Sequence, residues 1–222
     1  MTNEEILQGL FDDTLVGNAP SVKALTEEGL AQGMDPETLL YDALIPSLEE
    51  VGARFERGDF FVPEMLIAAR AMQGALDILR PLLAETGAKP IGTVVMGTVK
   101  GDVHDIGKNL VNIMLEGAGF TVWDLGVNVA PERFVEQVEE HKPDIVGFSA
   151  FLTTTMPMFK ANINALEKAG LRDNVIVMVG GAPVTQEYAD VVGADGYAAD
   201  ASAAVVRAKE LIGRRRAAVA AG

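Results

Sequence analysis

Between residues 91 and 198, short β-branched runs alternate with helix-forming segments, and no other feature restricts the fold so tightly. The runs occupy 91–99, 120–125, 144–149, 174–179 and, more weakly, 195–198. A helical stretch follows each in turn, near 106–117, 131–141, 156–169, 184–191 and 200–215. A strand that reaches a parallel neighbour through a helix crosses over with the right hand. The pattern therefore predicts an α/β architecture with a parallel, doubly wound sheet of about five strands. Turn chemistry agrees: Ala130-Pro131-Glu132 is a helix start, and Gly170 and Gly193 stand where helices should end.

Residues 1–86 keep a different period. Asp35-Pro36-Glu37 supplies a capping side chain, a proline suited to the first helical position, and an acid for the first turn. Behind it, Leu40, Leu44, Leu48, Val51 and Phe55 recur at threes and fours. A second start, Val62-Pro63-Glu64, leads into Met65, Ala69, Met72, Leu76, Leu79 and Leu83. With two weaker segments near 3–16 and 20–32, these predict a four-helix bundle built on narrow apolar stripes. The stretch from Ala84 to Pro90 breaks the helical period and is the expected linker. The domains so drawn are 1–86, 91–213 and an Ala-rich tail, 214–222.

The chain of 222 residues carries a net charge of −14 and no cysteine. Phosphate binding needs clustered Lys and Arg, so nucleic acid is not an expected partner. The one basic run, Arg214 to Arg216, reads as a solvated helix end. Without cysteine, disulfides, thiolate zinc sites and Cys-ligated iron–sulfur clusters on this chain are excluded. The acidic start MTNEEILQGL is unlike a targeting signal, and no apolar run reaches bilayer-spanning length. No membrane partner and a cytoplasmic location are the expectation.

In open parallel sheets, ligands bind at the loops that follow the strands. The first such loop reads Gly101-Asp102-Val103-His104-Asp105-Ile106-Gly107-Lys108-Asn109, so one of only two histidines has a carboxylate two residues before it. An Asp that fixes the tautomer and orientation of a metal-bound imidazole is a common arrangement. These residues point to a metal or metallocofactor held by His104. After the third run comes Ser149-Ala150-Phe151-Leu152-Thr153-Thr154-Thr155, and after the fourth Gly180-Gly181-Ala182-Pro183. Small residues at neighbouring loops remove side-chain bulk along one line, which suggests a channel for something long and thin.

These residues carry a family resemblance. Asp102-x-His104-x-x-Gly107, 41 residues, Ser149, then 28 residues from Phe151 to Gly180-Gly181 resembles the signature of corrinoid proteins of cobalamin-dependent methyltransferases. The cobalamin-binding module of methionine synthase is similar. The first element alone arises by chance in about one chain in a hundred of this length, and the full spaced set is far rarer. The run Val51-Gly-Ala-Arg-Phe55-Glu-Arg-Gly-Asp-Phe60-Phe61-Val62-Pro63 resembles the family's cap bundle, so the likeness extends to about residue 213. The tracts from Leu152 to Pro157 and from Gly180 to Glu187 are similar to the methylamine and methanol group of these proteins.

The resemblance implies a helical bundle cap followed by a five-stranded Rossmann/flavodoxin-like cobalamin-binding domain. It makes His104 the lower axial ligand to cobalt, Asp102 the acceptor of the other imidazole N–H, and Thr155 the third member of that relay. Val103, Asp105, Ile106 and Gly107 join the cofactor contacts from the same loop. Ser149, Phe151 and Thr153 belong to the cofactor's surroundings on the third loop, with Ser149 toward the displaced nucleotide tail. Gly107, Gly180 and Gly181 would let that tail pass, and Phe55 and Val62 would cover the upper face and shield the methyl group. Phe151 departs from the family's Ser-x-Leu, with Leu displaced to 152, which would reshape the tail tunnel. The implied function is a methyl carrier, the methyl-carrying subunit of a methyltransferase system. Cobalt(I) takes a methyl group from a methylamine, methanol or related O- or N-methyl donor presented by a substrate-specific methyltransferase, and a second methyltransferase takes it onward. A corrinoid-reductive activase is a further implied partner, and Gly87 to Pro90 is the expected hinge of the cap.

The same residues bear on other readings. A nicotinamide site would use Asp124 at the end of the second run, but the first loop lacks Gly-x-Gly-x-x-Gly. A phospho-receiver needs an acceptor Asp where this chain has Ser149. A cobalamin-binding sensor or regulatory module is the alternative; its light-sensing forms resemble this layout but carry a Trp and a His in the bundle. Here the only Trp is Trp123, in the second run, and the other His is His141. Trp123 reads as strand packing, and His141 as a solvated helix end.

Overall fold

The computed structural model, which describes residues 1–86 and 90–221, resolves the two periodicities into two units. They are Met1–Pro90 with Glu116–Gly119, and Ile91–Leu115 with Phe120–Gly222. The first is helical: α1 (Asn3–Leu15), α2 (Ala19–Ala31), α3 (Pro36–Leu39), α4 (Ile45–Glu56) and α5 (Val62–Thr86). A π-helical turn, Leu40–Leu44, joins α3 to α4, so the two form one rod and the unit is a four-rod bundle. Pro46 is the local cause. It has no N–H for the carbonyl four residues back and its ring crowds that carbonyl, a conflict that a wider turn relieves. The Ile45 N–H accordingly reaches back five residues to the Leu40 carbonyl.

Capping follows the sequence signals. Thr2 Oγ1 accepts the Glu5 N–H at 3.2 Å while the Thr2 N–H donates to the Glu5 carboxylate at 2.7 Å. Asp35 accepts the Glu37 N–H at 2.9 Å. The predicted stripes, Leu40, Leu44, Leu48, Val51, Met65, Ala69, Met72, Leu76 and Leu79, are buried together with Ile6, Leu10 and Val22. Phe55, on the same stripe, is only half-buried. The helix α5 continues to Thr86, through the first half of the expected linker. Gly87–Lys89, most of the expected hinge, lie outside the described residues.

The second unit alternates β1 (Gly92–Thr98), α6 (Ile106–Gly117), β2 (Phe120–Asp124), α7 (Pro131–His141), β3 (Ile145–Ser149), α8 (Met158–Lys168), β4 (Ile176–Gly180), α9 (Gln186–Val192), β5 (Gly196–Tyr197) and α10 (Ala201–Ala221). Every strand pair is parallel and the order is β2-β1-β3-β4-β5, the flavodoxin-like arrangement. Val95, Val146, Phe148, Val177 and Val179 pack against Phe134 and Val138 of α7, Phe159 and Ile163 of α8, and Val192 of α9. Right-handed crossovers then require α6 on the opposite face, because the chain reverses its direction across the sheet after β2. That reversal leaves a switch point between β1 and β3, where α/β sheets bind ligands.

Three sequence expectations change here. The tail from residue 214 is not separate, since α10 runs on to Ala221. Its basic run is not merely solvated: Arg215 donates to the Asn174 carbonyl at 2.6 Å, and Arg216 to the Ile91 carbonyl at 2.9 Å. His141 is half-buried and stacks on Trp123, with ring centroids 4.2 Å apart and planes 10° from parallel. Among the described residues, no helix is long and apolar enough to cross a membrane.

Candidate functional site

The strand order sets the loop after β1 between the loops after β2 and β3, and each neighbour holds it. On the β3 side, the Val99 N–H donates to the Ser149 carbonyl at 3.0 Å. On the β2 side, Val99 bridges Val129 in parallel register. Gly101 turns the chain with φ of 85°, a conformation that glycine adopts without penalty.

Asp102 is fully buried at the centre. Its Oδ1 accepts the His104 backbone N–H at 3.1 Å and the ring nitrogen Nδ1 of His104 at 2.8 Å. Its Oδ2 accepts the Phe151 N–H at 2.8 Å, the Leu152 N–H at 3.1 Å and the Thr155 hydroxyl at 2.7 Å. Burial by itself would raise this carboxyl. The donors from Thr155, the His104 backbone and ring, and Phe151 outweigh it and hold the group well below the usual carboxylate range. Asp102 is therefore ionised and only accepts. The shared proton must then sit on Nδ1, which leaves the lone pair of the neutral ring on Nε2. The His104 side chain is 44% exposed, so that nitrogen is presented at the sheet edge.

The structure thus joins Asp102, His104, Phe151 and Thr155 in direct contact. The Phe151 ring stacks on the His104 ring at 4.4 Å and 28°, so the departure from Ser-x-Leu acts on the imidazole. Val103 and Ile106 are exposed beside it. Asp105 turns to its own helix, accepting from the Asn109 side chain at 3.1 Å. Thr153 is exposed on the turn that ends in Thr155. Ser149 pairs with Thr98 on one side and Gly180 on the other, forming one rung at the carboxyl edge.

The glycines divide. A Cβ at Gly107 would meet nothing within 4 Å, and at Gly180 only the Ala198 carbonyl oxygen at 3.6 Å. At Gly181 it would fall 1.9 Å from the Ala150 carbonyl oxygen. Gly181 is therefore demanded by two loops of the chain closing on each other. Phe55 and Val62 lie in the first unit, at the end of α4 and the start of α5, with Val62 exposed.

Three residues of this site escaped the sequence reading. Thr98 Oγ1 donates to the His104 carbonyl at 3.0 Å. Asn128 accepts the Gly101 N–H on its side chain at 2.8 Å, and its own N–H donates to the Asp102 carbonyl at 2.9 Å. The buried Lys108 ammonium binds Asp124 at 2.5 Å and Asn109 at 2.6 Å. Asp124 also accepts the Gly126 N–H, so the acid that a dinucleotide ribose would need is already engaged. Only Asn128 left a trace in the sequence, as one of the few non-glycine residue types that readily adopt a left-handed backbone in a short turn.

This donor set fits a macrocyclic metallocofactor. Among the described residues, no group of three or more His, Asp or Glu side chains converges to hold a bare ion. A single oriented imidazole, with open space at Gly107 and no close contact at Gly180, suits a metal that brings its other ligands with it.

Comparison with known proteins agrees. Residues 92–206 match the B12 binding domain, and residues 6–80 match a second model of the same description. The chain is a B12-binding protein, and its cofactor is cobalamin or a related corrinoid. It is 44% identical to dimethylamine corrinoid protein 1 of Methanosarcina acetivorans, over 96% of this chain and 100% of that one. To trimethylamine corrinoid protein 2 of Methanosarcina mazei it is 46% identical, over 90% and 89%. A chain of the methanol:cobalamin methyltransferase complex MtaBC from Methanosarcina barkeri superposes with a TM-score of 0.83 at 30% identity, covering 96% of this chain and 81% of that one. The chain belongs to the corrinoid proteins of methylamine- and methanol-type methyltransferase systems.

Proposed function

We propose that this protein is a methyl carrier that serves a methylamine-type donor. Loaded with a corrinoid, it would accept a methyl group from a substrate-specific methyltransferase and pass it to a second one. The names of its relatives support dimethylamine or trimethylamine as the donor class, with methanol next. A reductive activase that restores the lowest cobalt state is the third partner. The observation that carries the reading is His104, held through Nδ1 by an ionised Asp102 so that Nε2 is presented at the sheet edge.

The bound corrinoid supplies a cobalt that accepts and releases the methyl group. The chain's residues do the rest. Asp102 keeps the proton on Nδ1 and the lone pair on Nε2, the form that a ligating imidazole requires. With Nε2 on or off the metal, the Asp102 carboxylate would keep its bond to Nδ1–H and so fix the orientation of the ring. Thr155 and the Phe151 and Leu152 N–H groups hold that carboxylate ionised through both states. Gly107 and Gly180 would give the corrinoid tail room, and Ser149 would contact it.

The test is reconstitution with hydroxocobalamin, then electron paramagnetic resonance of the cobalt(II) form using ring-labelled histidine. Hyperfine splitting from protein nitrogen, lost in His104→Ala, is the expected result. Folded protein that retains no corrinoid, or splitting that survives in His104→Ala, would overturn the reading. Methyl transfer from dimethylamine, trimethylamine and methanol with the respective partner enzymes then separates the donors.

A further inference from the structure

We propose that Asn128, between β2 and α7, is a positioning residue for His104 that acts through the backbone of Gly101 and Asp102. This rests on the reading of His104 as the axial ligand. Asn128 grips the loop twice, accepting the Gly101 N–H on Oδ1 at 2.8 Å and donating its own N–H to the Asp102 carbonyl at 2.9 Å. The two bonds bracket the Gly101–Asp102 segment, the stretch from which the buried carboxylate projects. To make both, Asn128 adopts φ of 55°, which an L residue enters only at a cost.

The grip comes from a firm base. The Thr98 N–H donates to the Gly126 carbonyl at 2.9 Å, the Val129 N–H donates to the Thr98 carbonyl at 2.9 Å, and Val99 pairs with Val129. The loop that carries Asn128 is thus a continuation of the sheet. Asp102 is consequently clamped from two sides: its backbone from the β2 loop, and its Oδ2 from Phe151, Leu152 and Thr155 on the β3 loop. His104 hangs on the remaining oxygen, Oδ1, by both its N–H and its ring. Any play between the two clamps passes to the imidazole. Asn128 itself is exposed, so replacing it leaves the core intact.

Two variants of the full chain separate side chain from backbone. Asn128→Gly keeps the left-handed conformation and removes the acceptor; Asn128→Asp restores an acceptor at Oδ1. In the cofactor-free protein, Gly101 amide exchange should quicken by about two- to tenfold in Asn128→Gly, the factor that one hydrogen bond carries. In protein loaded with hydroxocobalamin and reduced to cobalt(II), at one fixed pH, the fraction showing imidazole-nitrogen splitting should fall. Hydroxocobalamin binding should weaken by about the same factor. Asn128→Asp should recover all three. Wild-type values in Asn128→Gly would overturn the proposal, and so would equal losses in both variants, since the acceptor would then not be the agent. Wild-type protein that takes up no hydroxocobalamin would overturn the axial-ligand reading instead, and Gly101 exchange would still decide whether Asn128 secures the loop.

Discussion

Replacing Asp102 by Asn tests the site at its centre, because the five donors around this carboxylate dictate how an amide must lie. Oδ2 faces two backbone N–H groups, of Phe151 and Leu152, and the Thr155 hydroxyl, whereas Oδ1 faces one backbone N–H and the His104 ring. Backbone donors cannot turn away, but an imidazole can change tautomer. The amide oxygen must therefore occupy the Oδ2 side, with its NH2 toward His104. Nδ1 becomes the acceptor and the proton moves to Nε2, the atom proposed above to hold the metal.

The cost can be estimated. Three bonds to Oδ2 fall from charge-assisted to neutral, each losing about half its strength, and the part-buried His104 N–H loses its acceptor. Together these destabilise Asp102→Asn by roughly 3–5 kcal/mol at neutral pH. Two measurements check this: chemical denaturation of the cofactor-free protein, and nitrogen-correlated NMR of the imidazole rings. Only His104 and His141 contribute to the ring spectrum. The expected outcome is a folded variant whose His104 carries its proton on Nε2 and whose cobalt(II) form lacks protein-nitrogen splitting. A variant that keeps the proton on Nδ1 and the splitting intact would refute the argument from donor geometry.

The same carboxylate sets a pH dependence. Its folded value is depressed, so its stabilisation is present above the ordinary aspartate value of about 3.9 and is lost as pH falls from there toward the lower folded value. The stability gap between wild type and Asp102→Asn should narrow between neutral pH and about pH 3, and a constant gap would count against an ionised Asp102. The glycines should separate by cause. Gly181→Ala, at φ of 129° with its Cβ 1.9 Å from the Ala150 oxygen, should cost on the order of 2–4 kcal/mol in thermal unfolding. Gly107→Ala, in open space on α6, should leave stability unchanged or raise it by up to about 1 kcal/mol while weakening hydroxocobalamin binding. The Lys108–Asp124 pair should respond unequally, because the side chains are 1% and 39% exposed. Asp124→Ala strands a buried ammonium and should cost roughly 3–5 kcal/mol by denaturation, whereas Lys108→Met leaves a carboxylate that water can reach and should cost under about 2 kcal/mol.

The elements were legible in the sequence because their signals are local. Apolar spacing of three and four, with Asp35-Pro36 and Val62-Pro63 as starts, marks the bundle; β-branched runs between helix signals mark the sheet. The His104–Asp102 bond was legible for the same reason, as its partners are two residues apart. The spaced motif carried family and cofactor, and the resemblance carried Thr155, 53 residues from the carboxylate it meets. Strand order decided the remainder. With β1 between β2 and β3, the loops after those strands close on Asp102 from opposite sides. That brings in Asn128 from one and the Phe151 and Leu152 N–H groups from the other. It also turns Phe151 onto the imidazole and Gly181 against Ala150. Local spacing determines which elements form and which side chains share a loop. Which backbone donors converge on one buried carboxylate depends on contacts between segments distant in the chain, and those exist only once the sheet has assembled.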